Sequence, residues 1–330
     1  MTATPLPAVR APIDWKLQAE RFALLAAWAA LIGLFAVLIP GTFLTWRTFS
    51  SILGSQAVLV VLALGLLLPL TAGDFDLSAA SVLVFSAMFV AVSNVTWGWP
   101  IGLSLLGALA TGAIVGALNA WFILFFRIHS LIVTLGLGTF LNGMTLWLSG
   151  SQTISGISMT LVDAVVITRI LGIPAAFWYG LALCLVLWYA LEWSMAGRRL
   201  LFVGRGREVA RLNGISVDRT RAAALILSGA LSALAGVLYA GMTGSADPVS
   251  GQGLLLPAFA AAFLGATAIY PGRFNPLGTL LSVYFLITGI TGLSMLGAAA
   301  HVQSLFYGGA LVVAVALSQL VRKRQPQNFG

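Results

Sequence analysis

The chain is 330 residues long, 60% hydrophobic and only 8% charged, with a mean hydropathy of +1.02. Those values exclude a soluble globular domain. The formal net charge of +8 invites a nucleic-acid reading, but the basic residues flank apolar stretches with no soluble domain around them. They read instead as orientation signals and anionic-lipid contacts.

The polar N-terminal segment runs through Glu20 and has no apolar region of its own. Phe22–Ile39 is longer than a signal-peptide core and lacks an evident small-residue cleavage site, so it is expected to remain as a first span. Charge-free runs follow at Phe22–Trp46, Thr48–Gly73, Leu77–Phe126, Ile128–Val162, Ile170–Leu191, Ala222–Ala246, Pro248–Gly272 and Phe274–Val321. A bilayer-crossing helix needs roughly 20 apolar residues. Leu77–Phe126 and Phe274–Val321 are therefore long enough for two each, divided at Trp97-Gly98-Trp99-Pro100 and near Gly297. Ile128–Val162 holds one, because Gly150–Thr160 is polar and Ser-rich. The expected spans are 22–40, 51–71, 78–96, 101–124, 131–149, 175–193, 222–243, 253–270, 276–293 and 300–320. The fold class is all-α: a polytopic membrane protein of about ten transmembrane helices with both termini on one face.

Alternating the loops sorts fifteen of the seventeen basic residues to the terminal side and leaves only Arg47 and Arg169 opposite. Basic residues near span ends stay cytoplasmic, so both termini are expected in the cytoplasm. One span more or fewer would scramble this sorting. The chain reads as a single membrane domain, 1–330, with a cytoplasmic segment 1–21, a cytoplasmic loop 194–221 and a cytoplasmic tail 321–330. Gly150–Pro174 is expected to be external. Gly73-Asp74-Phe75 and Gly272-Arg273-Phe274 form a faint internal repeat, each in a cytoplasmic turn before a span. The many glycines would let helices approach closely, Gly112-x-x-x-Gly116 among them.

Catalysis requires a nucleophile, an acid–base pair or a metal cluster within mutual reach. His129 and His301 fall at distant span ends, Cys184 stands alone, and no metal or hydrolase motif occurs. An ATP-binding loop needs Gly-Lys-Ser/Thr, yet Lys16 precedes Leu17 and Lys323 precedes Arg324. The chain is thus expected to be no enzyme and to hold no cofactor, with any ATP bound by a partner. Ion-coupled transporters usually carry ionisable groups within their spans. Here Asp74 and Asp76 are expected at a cytoplasmic span end and Asp247 at an external one. Neutral groups remain inside: Gln56, Asn119, Thr134, Asn142, Thr145, Thr288 and Thr291. Gln56, Asn119, Thr134 and Asn142 are the candidate solute path, a lining suited to a hydroxyl-rich neutral solute. The alternative is that such groups merely tie helices together.

In the cytoplasmic loop, Glu208, Val209, Ala210 and Gly214 reproduce the E-A-A-x-x-x-G spacing of importer coupling helices, with Val in second place. Small Ala210 would allow close approach to a partner groove, Gly214 would cap the helix, and arginines such as Arg211 would steer an acidic surface. Glu208, Ala210, Arg211 and Gly214 are the candidate ATPase-coupling residues.

The chain resembles, along nearly its whole length, permease subunits of the ribose/xylose/galactose-type ATP-binding-cassette importers. The matching stretches are Gly73-Asp74-Phe75-Asp76-Leu77-Ser78, Gly116-Ala117-Leu118-Asn119, Ile132-Val133-Thr134-Leu135-Gly136, Glu208–Val217, Leu227-Ser228-Gly229 through Ala235-Gly236, and Leu264-Gly265-Ala266-Thr267 with Pro271-Gly272-Arg273. The resemblance implies a permease homodimer in the bacterial inner membrane, cytoplasmic ATPases binding ATP and Mg, and a periplasmic solute-binding protein. The solute it implies is a sugar or polyol, with a nucleoside or furanosyl signal as the alternative; a secondary transporter is the distant alternative in function, opposed by the lack of ionisable groups within the expected spans. Ala79-Ala80-Ser81 replaces the family's V-G-S, Gly253-Leu254-Leu255-Leu256 replaces G-Y-E-L, Asn142 replaces an Arg, and His129-Ser130 a Pro pair. These departures touch the external loop and the interior, where solute choice would be made.

Overall fold

The computed structural model describes residues 15–322. Most of the expected segment 1–21, with Arg10, and the tail from Lys323 onward, with Arg324, lie outside the described residues. The main helices are α1 Trp15–Leu38, α2 Trp46–Ala72, α3 Ala79–Thr96, α4 Ile101–Phe125, α5 Ser130–Ser149 and α6 Ala175–Trp193. They continue with α7 Met195–Arg205, α8 Arg207–Leu212, α9 Val217–Thr243, α10 Ser250–Gly265, α11 Pro276–Met295 and α12 Ala300–Arg322. Among the described residues eight helices are long and apolar enough to cross a membrane; α10 and the apolar part of α12 are shorter. All ten expected apolar segments are helical, but their bounds move. Residues 266–272 turn rather than extend α10, and α9 begins before its expected start, taking Arg219 and Arg221 onto a helix. Arg47, expected in a loop, lies in the first turn of α2, which changes direction at Gln56.

Amphipathicity is weak because the bilayer, not water, solvates the outer faces. On α4 and α5, Leu106, Ile114, Trp121, Phe125, Ile132, Phe140 and Trp147 point outward. The α2 segment Ala57–Ala72 is instead buried along its entire length. Beside it α9 packs against α2, α3 and α4. Glycines set the spacing there. A Cβ on Gly116 would sit 2.5 Å from the Leu225 carbonyl oxygen, and one on Gly229 would strike the Gly112 carbonyl. The Gly112-x-x-x-Gly116 pair is therefore a close α4–α9 contact, held by van der Waals packing in the absence of a hydrophobic drive between helices.

Residues 150–174, expected to be external, are more ordered than a polar loop. Ile154–Ser155 pairs antiparallel with Ser245–Ala246, and Arg169–Ile170 with Ile173–Pro174. Near the repeat, Gly73 and Gly272 both adopt positive φ, +80° and +89°. The phenylalanine that follows each lies on one aromatic ladder, Phe75–Phe259–Phe263–Phe274, with centroids 6.3, 6.5 and 5.4 Å apart.

Candidate coupling and translocation site

The turn between α2 and α3 was expected at the membrane surface. It is folded into the protein instead, with Asp74 2% and Asp76 1% exposed. The physical reason is that partners from four other helices converge on it. Gly73, left-handed, stops α2 and its amide donates to Leu70 O. Arg221 of α9 donates from Nε to Asp74 Oδ2 and from Nη2 to Asp74 Oδ1, both at 2.7 Å. Arg207, the first residue of α8, uses Nη2 alone, reaching Gly73 O at 3.0 Å and Asp74 Oδ1 at 3.2 Å. Burial pulls the Arg207 pKa below the usual arginine range, against the opposing attraction of Asp74.

Asp76 has no cation paired with it among the described residues. Ser78 Oγ donates to its Oδ1 at 2.5 Å and Ser228 Oγ of α9 to its Oδ2 at 2.7 Å. Burial pushes this carboxyl above its usual range, and the Ser78 and Ser228 hydrogen bonds hold it back. Backbone groups of the turn are satisfied by α5: Phe75 N donates to Ser130 Oγ at 3.1 Å and Leu77 N to Thr134 Oγ1 at 3.0 Å. From α4, Asn119 Nδ2 donates to Ser78 Oγ at 2.8 Å.

Two candidate solute-path residues, Asn119 and Thr134, are thus spent on this turn and are buried. Asn119 Oδ1 is left without a hydrogen-bond partner among the described residues. Gln56 sits at the α2 bend, half-buried, its Nε2 donating to Ser55 Oγ at 3.1 Å. Asn142 is placed otherwise. Its Oδ1 accepts from Gln252 Nε2 of α10 at 2.6 Å, both side chains are half-buried, and Gln252 Oε1 lies 3.5 Å from Ser81 Oγ. The site does not bring the four together. Gln252 was missed because it stands just before the departed Gly253–Leu256 motif, in a segment without polar periodicity. Thr145 and Thr288 return hydrogen bonds to Leu141 O and Tyr284 O on their own helices.

The coupling candidates lie on α8 and its cap. Ile215 N donates to Ala210 O and Gly214 N to Arg211 O, both at 3.0 Å, closing a Schellman cap around Gly214 at φ +76°. That closure folds Ile215 back onto Ala210. Ala210 is consequently buried against Val203, Val217 and Ile215 of its own chain rather than offered to a partner. Its small size serves contact within the subunit. What α8 presents outward is Glu208, Val209, Arg211 and Leu212, the last 88% exposed. Alongside, a cavity of about 510 Å³ is lined by residues of α7 and the cap, Arg198, Arg199, Phe202 and Gly214 among them.

α8 is thus a short, largely exposed helix joined through the Arg207 guanidinium to a buried turn on which four helices converge. The family model described as branched-chain amino acid transport system / permease component matches residues 48–315. The chain belongs to this family. The D-allose transport system permease protein of Escherichia coli K12 is 27% identical over 94% of this chain and 95% of its own. The ribose import permease protein of the same strain is 30% identical over 88% and 91%. The autoinducer 2 import system permease protein of Enterobacter sp. strain 638 is 32% identical over 79% and 76%. No solved structure matches. As a member of this family the chain is a multi-pass, non-catalytic permease subunit of an ATP-binding-cassette importer, a class that works with an ATPase and a solute-binding protein.

Proposed function

We propose that this permease pairs with a second copy of itself and carries a sugar or polyol inward across the bacterial inner membrane. A periplasmic binding protein delivers the solute, and ATP and Mg bound by a separate cytoplasmic ATPase drive the cycle. The observation that carries the neutral-solute reading is the Asn142–Gln252 amide pair at 2.6 Å beside Ser81. An amide offers both donors and acceptors, as hydroxyl groups require, and no unpaired charge to demand an ionic solute. The allose and ribose relatives favour the sugar class. The autoinducer 2 import relative favours a second reading, another small solute of that kind.

In this reading α8 docks on the ATPase through Glu208, Arg211 and Leu212, while Gly214 fixes its end. Closure of the ATPases moves α8, and Arg207 passes that movement to the Gly73–Ser78 turn. Membrane vesicles supplied with ATP test the solute half. Gln252→Leu and Asn142→Leu should raise the uptake KM for the transported sugar while leaving membrane abundance near normal. Unchanged KM in both variants would move the solute path elsewhere.

A further inference from the structure

Arg47 and Arg169 are the two exceptions to the cytoplasmic sorting of basic residues. External arginine runs against the insertion bias, so it calls for a local reason. The two lie far apart in the chain yet line one cavity of about 320 Å³. Exposed Arg47, Ser51, Ser55 and Arg169 give it a polar mouth, and buried Val165 and Ala176 an apolar base. Its walls are fixed. Ser50 Oγ donates to Gly172 O at 2.7 Å, tying the start of α2 to the Arg169–Pro174 hairpin. Gly54 is packed so closely that a Cβ would sit 2.6 Å from Pro174.

Among the described residues neither guanidinium has an ion pair or hydrogen bond. The acids on this face do not serve them: Asp247 is held by Thr153 and Ser250, and Asp163 does not line the cavity. Next to Arg169 the hairpin exposes Ile170 and, at its tip, Leu171, which is 76% exposed. Two unpaired guanidiniums over an apolar base, flanked by an exposed apolar tip, suit a carboxylate on an aliphatic stem projecting from a protein surface.

We infer that this cavity receives an acidic side chain of the solute-binding protein and fixes how that protein sits on the permease; the inference rests on the importer reading above. A lipid headgroup is the competing occupant, and the phosphatidylglycerol arm of the test separates it. A free anion has no neutral counterpart in the Asn142–Gln252 path.

The test uses the full permease–ATPase complex in phosphatidylcholine nanodiscs and the solute-loaded binding protein that supports its uptake. Arg47→Glu/Arg169→Glu should raise the Kd of that protein at least about tenfold, and Arg47→Gln/Arg169→Gln by less. Raising salt from about 50 to about 500 mM should weaken wild-type binding and barely change the reversed variant. Basal ATP hydrolysis and the elution profile should match wild type, which excludes misfolding. Exchanging one surface acid of the binding protein for arginine should restore affinity to the reversed variant. Wild-type Kd and salt dependence in the double reversal would overturn the site while leaving the importer reading standing. A loss seen only when phosphatidylglycerol is added would overturn it in favour of a lipid site. A wild-type complex that binds no such protein at any salt would overturn both.

Discussion

Arg221→Met removes the cation that faces Asp74 from α9. Asp74 would keep a carboxylate at 2% exposure, facing only the single nitrogen of Arg207. Arg221 supplies two charge-assisted bonds at 2.7 Å to the two oxygens. At roughly 1.5–3 kcal/mol each, they agree with the about 3–5 kcal/mol lost when one partner of a buried pair is deleted. Arg207 is different, with its side chain 37% exposed and one nitrogen doing all its bonding. Solvent screening limits its ion pair to about 0–1 kcal/mol. At roughly 2 °C per kcal/mol, Arg221→Met should lower the apparent Tm of the purified permease by about 6–10 °C, and Arg207→Met by no more than about 2 °C. Because Arg221 grips bidentately, Arg221→Lys should recover little; because Arg207 acts through one point, Arg207→Lys should preserve transport. Asp74→Leu/Arg221→Met should be milder than the sum of its singles, since no buried charge is left alone. The assay is fluorescence-detected gel filtration after heating, with uptake measured in parallel. Equal melting of Arg221→Met and wild type, or equal damage from Arg207→Met and Arg221→Met, would refute the assignment of the load to α9.

Gly229→Val should reduce the amount of folded permease sharply, because its side chain enters the Gly112 backbone and overpacking costs about 1–3 kcal/mol or more; Gly136→Ala, with open space around it, should be silent in the same expression assay. A Cβ at Gly214 meets no atom within 4 Å, so the cost of Gly214→Val, about 1–2 kcal/mol, is chiefly backbone strain at φ > 0; solute-stimulated ATP hydrolysis should fall while abundance holds, with Gly214→Asn intermediate. Asp247, its carboxyl held down to about 2 chiefly by the Ser250 hydroxyl and then by the Val249 amide, contributes stability that is complete above its unfolded pKa of about 3.9 and is lost as pH falls through about 2. Protection factors at Val249 and Ser250, taken relative to intrinsic exchange at each pH, should therefore hold down to about pH 4 and fall below it, and Asp247→Asn should abolish that dependence.

Hydropathy is a local property, and the order of the helical segments was legible from it. The Gly214 turn was legible too, because a glycine after a short helix has a local conformational reason. The fate of the Gly73–Ser78 turn was not. Its two aspartates look like surface charges until Arg221 and Ser228 are brought to them by packing of α9 on α2 and α3. Ala210 misled for the same reason: smallness signals a close contact but not which body makes it. Asn142 was legible as a polar group in an apolar span, whereas its partner Gln252 sits where α10 starts, and only the fold brings the two amides together. Of the four solute-path candidates, Asn119 and Thr134 have interhelical partners around the turn, an alternative that composition could not separate from lining a path.

Synthesis imposes a clock on the buried turn. Arg221 follows Asp74 by 147 residues and Ser228 follows Asp76 by 152. At roughly 5–20 residues per second, α2 waits about 7–30 s between the emergence of its terminal aspartates and that of the residues that neutralise or bond them. During that interval the two carboxylates lack Arg221 and Ser228, and α2 lacks the α9 surface it will finally be buried against. Arg207 emerges first and offers Asp74 a single nitrogen; the α9 start then supplies the bidentate cation, the hydroxyl and the glycine face together. The last half of the chain is thus what licenses the first half to close.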